Sequence, residues 1–288
     1  MAVEAGASIE VEARVRGITV GRGGVTVDVA RNEGSREYLS ASLIILASGP
    51  RYAIQRRLGL GAPRDLLRTS QVEVMAFPFE GARVFFGERR AGGSFGWVVP
   101  FMRDDQAYAR VGVATSENPM IPLQALLRDL EEDRLIPPQE IRVRSWVIPM
   151  TPIRRTYGER VLAVGDAAGQ VKPTTGGGLF YGLLCAKMAA EMAIQSCESG
   201  DFREEFLSQY ERAWRRRLGL EIRVGYLFRK LFSSLRDEEI DRFFRELTSN
   251  GILPRLQEKV RFDWHKNLIW AILRHPGLGM ILLRGVLR

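Results

Sequence analysis

Apolar and polar positions alternate with period two over residues 8–16 and 25–30, and Gly21, Gly23 and Gly24 lie between them. That pattern predicts two half-buried strands joined by a tight turn, with residues 36–39 as a third short strand. Residues 43–47 are apolar without a break and end at Ser48-Gly49, which suits a strand buried on both faces in a parallel sheet. Period two returns over residues 71–77, 83–87, 95–101, 107–115 and 140–148, at spacings short enough for hairpins. These segments predict an antiparallel sheet, interrupted by an amphipathic helix at 123–132. Residues 161–164 are again a short buried strand and should lie parallel to 43–47. A long helix of small residues then runs through Glu191, and from Asp201 the spacing is helical almost to the end.

Composition narrows the classes. With 45% hydrophobic and 26% charged residues in 288, disorder, collagen and coiled coil are excluded. Cys185 and Cys197 form no CxxC. With only His265 and His275 besides, a disulfide scaffold, a zinc ribbon or a Ser-His-Asp triad has little material, and no metal site is expected. Cys185 reads as a core residue, and both histidines as surface or capping residues. The first residues lack a basic stretch followed by an apolar one, so a reducing cytoplasmic compartment is the expectation. The net charge of +8 is uneven: residues 200–288 hold 18 Lys and Arg against 12 Asp and Glu. The basic residues form no recognisable nucleic-acid module, so no nucleic-acid partner is expected. Trp270 and the leucine-rich turns at 268–274 and 278–284 suit either a packed helical face or peripheral contact with a membrane.

The chemistry concentrates in one segment. A short strand ends in Gly165-Asp166-Ala167-Ala168-Gly169, and Gly176-Gly177-Gly178 opens the following helix. Glycines let backbone approach a ligand closely, and a helix start offers N–H groups and a positive dipole end. Asp166 at the strand end could accept hydrogen bonds from sugar-alcohol hydroxyls, or could simply cap a turn.

The full run from Arg155 to Leu179, with Val161-Leu162-Ala163-Val164-Gly165-Asp166-Ala167-Ala168-Gly169 and Lys172-Pro173-Thr174-Thr175-Gly176-Gly177-Gly178, resembles the flavin-contacting segment of the geranylgeranyl reductase family. These are FAD-dependent oxidoreductases of the p-hydroxybenzoate hydroxylase superfamily. The resemblance implies FAD as cofactor, with Gly165, Asp166, Ala167, Ala168, Gly169, Pro173, Gly176, Gly177 and Gly178 around it and Asp166 on the ribityl chain. Ser94-Phe95-Gly96-Trp97-Val98-Val99-Pro100 resembles the family's aromatic-x-Trp-x-Phe-Pro substrate motif. Phe95 takes the place of Tyr and Val99 that of Phe, which implies Phe95, Trp97 and Pro100 at the substrate. The family's later GxG is represented by Gly112 and Ala114, and a core strand face would show the same alternation. Residues 43–60 are similar to the superfamily's apolar strand and Arg-Arg-Leu-Gly helix end, with Ser48 in place of the acid and Tyr52 in place of the serine.

The resemblance implies an α/β (α+β) fold with four parts. Residues 1–69 and 151–199 form a partial Rossmann-like FAD-binding domain, residues 70–150 an inserted antiparallel substrate-binding domain, and residues 200–288 a basic helical region. The implied reaction is saturation of C=C bonds in an isoprenoid lipid, with NAD(P)H or ferredoxin among candidate electron donors; no proton donor is identified. The same-fold rivals are an aromatic monooxygenase or a halogenase. A rival of another class is a non-catalytic remnant, or a subunit needing a separate nucleotide-binding chain. No GxGxxG occurs in the sequence. By the resemblance, Met1 lies roughly a hundred residues inside a family member, beyond the βαβ unit that holds the adenylate half of FAD. Without three or four of those contacts, FAD should be held about 3–6 kcal/mol more weakly.

Overall fold

The computed structural model describes residues 1–31, 34–249, 251–258 and 260–285. The chain divides into two compact units: residues 1–62, 152–170 and 181–217, and residues 63–151, 171–180 and 218–288.

In the first unit, β1 (Ala13–Gly21), β2 (Gly24–Arg31) and β3 (Arg36–Ala41) form an antiparallel meander. Val25, Val27 and Val29 alternate onto one face of β2 and are buried with Ile18, Val20 and Ile44. The strand expected at 8–16 instead begins at Ala13 and runs on to Gly21, because its ladder with β2 pairs Ala13 with Arg31 and Gly21 with Gly24. A second small sheet has the order β10 (Tyr157–Gly158), β11 (Val161–Ala163), β4 (Ile44–Leu46). β11 pairs β4 in parallel, Val161 with Ile44 through Ala163 with Leu46, as the two apolar runs predict. Burial on both faces holds for β11, whose three residues are all buried, but not for β4. Ile45 is 39% exposed, and β4 is the edge strand of this sheet among the described residues. Helix α1 (Ala53–Arg57) follows β4. Helix α4 (Leu179–Ser199), counted with this unit from Tyr181 on, buries Tyr181, Cys185, Ala189, Met192 and Ser196, one stripe at helical spacing. The expected helix through Glu191 thus continues eight residues further.

In the second unit, the expected antiparallel sheet has the order β6 (Arg83–Phe85), β7 (Phe95–Arg103), β8 (Gln106–Thr115), β5 (Leu66–Met75), β9 (Arg144–Pro149). Helix α3 (Met120–Glu132) lays Leu123, Leu126, Leu127 and Leu130 on Val72, Val74, Val98, Ala109, Val111 and Val113. The short α2 (Glu88–Ala91) precedes β7, and both Arg89 and Arg90 bind Asp129 of α3. Helix α5 (Glu204–Ser233) is divided between the units at 217/218. After it, α6 (Asp237–Thr248), α7 (Ile252–Gln257), α8 (Lys266–Arg274) and α9 (Pro276–Arg284) pack around Phe243, Ile272, Leu278, Ile281 and Leu282. The leucine-rich turns of the basic tail therefore bury one face in this unit. No described helix is long and apolar enough to cross a membrane.

Candidate flavin and substrate site

β11 delivers the chain to a left-handed turn. Gly165 has φ +62° and Gly169 φ +70°, and between them residues 165–168 form one turn of 3₁₀ helix. A side chain is strained at both positions, so glycine is required there. Gly165 and Gly182 of α4 also face each other: a Cβ on Gly182 would lie 3.4 Å from the Gly165 Cα. This pair lets the helix pack directly on the strand end.

Buried side chains clamp the turn. The Gly165 N–H donates to Gln170 Oε1 at 2.9 Å, Gln170 Nε2 donates to the Tyr210 hydroxyl at 2.9 Å, and that hydroxyl donates to the Ala163 carbonyl at 2.8 Å. From the other side, the Tyr52 hydroxyl donates to the Asp166 carbonyl at 2.9 Å, and Gln55 Nε2 to the Ala167 carbonyl at 3.2 Å and to Ser48 Oγ at 3.3 Å. Burial pushes the Tyr52 phenol above its ordinary range, with the charge of Asp166 adding to it, and burial raises Tyr210 further. Both are therefore neutral donors. Ala167 and Ala168 are fully buried, so this stretch presents backbone and the Asp166 side chain.

Asp166 is the charged group of this network left open, and Gln55 Oε1 is also buried without a hydrogen-bond partner among the described residues. The Asp166 carboxylate has no hydrogen-bond partner among the described residues, and burial raises its pKa. It is half-buried and does not cap the turn; the residue preceding the 3₁₀ helix is Val164. A desolvated carboxylate that is still reachable is an acceptor suited to hydroxyl donors of a ligand. Cys185, fully buried with its thiol pushed up to about 12, stays protonated and is a core residue.

Pro173, Gly176, Gly177 and Gly178 belong to the second unit. Their loop closes on itself: the Lys172 N–H donates to the Gly177 carbonyl at 3.0 Å and the Gly176 N–H to the Lys172 carbonyl at 2.9 Å. Gly176 has φ +72°, and a Cβ there would lie 3.0 Å from Ile148 Cδ1 and 3.9 Å from Phe95 Cζ. The loop is thereby brought onto Phe95. Lys172 Nζ is held by Asp263 Oδ1 at 2.6 Å and sits over the Phe262 ring, while Thr174 Oγ1 shares a 2.5 Å hydrogen bond with His265 Nδ1. His275 caps α9, its Nδ1 accepting from the Leu278 N–H.

Among the substrate-motif residues, Phe95 and Trp97 share one face of β7, with ring centroids 5.8 Å apart. Pro100 alternates onto the opposite face with Val98, toward the α3 core, so the strand separates it from the other two. Trp97, Gly112 and Gln71 lie in one row across β7, β8 and β5. The indole crosses Gly112, where a Cβ would sit 2.2 Å from Trp97 Cζ2, and its Nε1–H donates to Gln71 Oε1 at 3.1 Å. A glycine inside a strand marks such a close approach. Gln55 and Tyr210 carried no comparable local signal, and the hydrogen bonds of Tyr52 and Gln170 had none.

The lycopene cyclase protein family model matches residues 2–250. Digeranylgeranylglycerophospholipid reductase 2 of Methanothermobacter thermautotrophicus is 34% identical over 260 residues, covering 87% of this chain and 66% of that relative. The Methanopyrus kandleri protein of the same name is 34% identical over 268 residues, covering 88% of this chain and 66% of the relative. The chain thus spans about two thirds of the length of these curated relatives. In fold, it matches a geranylgeranyl bacteriochlorophyll reductase-like protein from Thermoplasma acidophilum with a TM-score of 0.81 at 19% identity, over 99% of this chain and 72% of that one. It also matches a halogenase in complex with FAD, with a TM-score of 0.58 at 16% identity, over 98% of this chain and 62% of that one. The family model shows that the chain belongs to the lycopene cyclase protein family, and its relatives and fold neighbours include proteins named as geranylgeranyl-type reductases.

Proposed function

We propose that this chain carries the flavin-contacting and substrate-contacting parts of a reductase that saturates C=C bonds of a prenyl lipid. The relatives named digeranylgeranylglycerophospholipid reductase support that substrate class. The observation that carries the reading is the Asp166 carboxylate, desolvated and without a hydrogen-bond partner among the described residues at the end of β11. Its chemistry fits the ribityl hydroxyls of FAD. The left-handed Gly165, Gly169 and Gly176 fit a backbone that passes close to a ligand.

In this proposal Asp166 orients the ribityl chain and Gly165, Ala167, Ala168 and Gly169 offer backbone in the first unit, while Pro173, Gly176, Gly177 and Gly178 are the cofactor residues of the second. Reduced flavin, when bound, supplies the hydride; the chain supplies position and dryness. Phe95 and Trp97 wall the alkene side and exclude water. The Gln170–Tyr210 and Tyr52–Gln55 clamps keep the Asp166 backbone from moving when hydroxyls bind. Pro100 lies on the opposite face of β7 from Phe95 and Trp97, by its alternation with Val98, and would shape the substrate side only through the strand. Residues 1–69 and 151–199 make up the flavin-binding part and residues 70–150 the substrate part. Peripheral lipid contact belongs to the same proposal, through the exposed Trp270, Met280 and Leu283 of α8 and α9.

The test is a titration of FAD into the protein, followed by quenching of flavin fluorescence and by the shape of the visible band. Saturable binding that free riboflavin competes for supports the proposal. Binding by the adenylate half alone, with AMP competing and riboflavin not, overturns it.

A further inference from the structure

The second unit holds an aromatic recess of about 170 Å³, walled by Phe86, Phe95, Phe228, Phe232 and Phe244. The rings form a connected set: Phe86 packs edge-on against Phe232 with centroids 5.4 Å apart, and Phe232 stacks on Phe228 at 6.1 Å. Beside it lies a polar recess of about 480 Å³. Ser94, Arg229 and Ser233 line both.

Arg229 is the unusual member of that shared wall. Its guanidinium lies over the Phe95 ring at 5.3 Å, one Nη donates to the Pro173 carbonyl at 3.4 Å and the other to Ser94 Oγ. Two of its five donors are used in this way. No carboxylate of the described residues lies within 4.0 Å of it, whereas Arg89, Arg103 and Arg203 each bind one. Burial lowers its pKa to about 10, only partly offset by Asp65. A desolvated cation without a counterion is costly to keep, and its remaining donors suit a planar or tetrahedral oxyanion. Asp65, Glu88, Glu117 and Lys230 also line the polar recess, and Asp65 is engaged by the Tyr226 hydroxyl at 2.9 Å.

We propose that this double recess binds an amphiphile, its apolar chain among Phe86, Phe95 and Phe232 and its phosphoryl head on Arg229. The proposal rests on the prenyl-lipid reading above and adds which end of the lipid is recognised and by which residue. Arg229 would then select phosphorylated prenyl substrates over neutral ones.

The test is calorimetric titration of the protein with farnesyl monophosphate, farnesol and inorganic phosphate. Farnesyl monophosphate should bind roughly tenfold or more tighter than farnesol, as a charge-assisted contact implies. Inorganic phosphate should not displace it at comparable concentration. Arg229→Gln should abolish the preference while farnesol binding persists, which also shows that the variant folds, and Arg229→Lys should retain part of it. Farnesol and farnesyl monophosphate binding equally, or the preference surviving Arg229→Gln, overturns this inference and leaves the prenyl reading standing. Equal displacement by inorganic phosphate shows that the chain contributes nothing and overturns the amphiphile. Binding of neither prenyl compound overturns both.

Discussion

Replacing Asp166 with asparagine should move stability and flavin affinity in opposite directions. Burial raises the pKa of this carboxyl in the folded protein, so the fold prefers the protonated form. Its stabilising contribution is fully present below the unfolded value near ~3.9 and is lost as pH rises through the folded value. At pH 7 the ionised group is therefore a net liability to the empty protein, and an amide of the same shape removes it. The expected gain is a higher Tm, shrinking toward acid pH as the wild-type carboxyl takes up its proton. Flavin affinity should respond in the other sense. Hydrogen bonds to a charged group are worth about 1.5–3 kcal/mol, so Asp166→Ala should weaken FAD by about 10- to 150-fold and Asp166→Asn by roughly tenfold. Because ribityl hydroxyls favour the ionised acceptor, wild-type affinity should fall as pH drops through the Asp166 titration, and the asparagine variant should show a flat profile. Thermal melts across pH and fluorescence titrations on the same preparations supply both readouts. An asparagine variant that melts lower at pH 7, or that binds FAD as wild type does, would refute the reasoning and make Asp166 a structural turn residue.

The Trp97–Gly112 contact should behave as one unit. Gly112→Ala puts a Cβ 2.2 Å from the indole and should cost about 1–3 kcal/mol in thermal or urea unfolding, yet well under that in a Trp97→Ala background; equal costs in both backgrounds contradict the close approach. Trp97→Ala in flavin-loaded protein should reduce turnover and leave flavin content unchanged, whereas loss of folding would place Trp97 in the core only. Trp270→Glu with Leu283→Glu should weaken sedimentation with anionic phospholipid vesicles at unchanged Tm, since both side chains are exposed; unaltered sedimentation removes the proposed lipid contact.

What could be read from sequence was whatever rests on local periodicity. The two apolar runs did pair in parallel, and the alternating segments between them did form one antiparallel sheet, because burial on a pleat leaves a period of two. Edge position leaves no such mark, so Ile45 looked buried and is not. Alternation was equally silent on which face of β7 meets the core, and Pro100 fell opposite Trp97. The site residues that were missed are polar groups satisfied over long separations. Tyr52 reaches Asp166, Gln55 reaches Ala167 and Tyr210 reaches Ala163, and nothing in the neighbouring sequence announces these contacts. Arg229 was hidden for a related reason: within a basic tail, one more arginine reads as a solvated face, and only its surroundings set it apart.

The central claim is that hydride reaches a prenyl double bond in a site built partly from this chain. Its most direct test is mass spectrometry of a geranylgeranyl phospholipid incubated anaerobically with the protein, FAD and dithionite. The account predicts product heavier by two hydrogens for each double bond saturated, and a smaller yield with Asp166→Ala. Lipid of unchanged mass in the presence of bound, reduced flavin would contradict it.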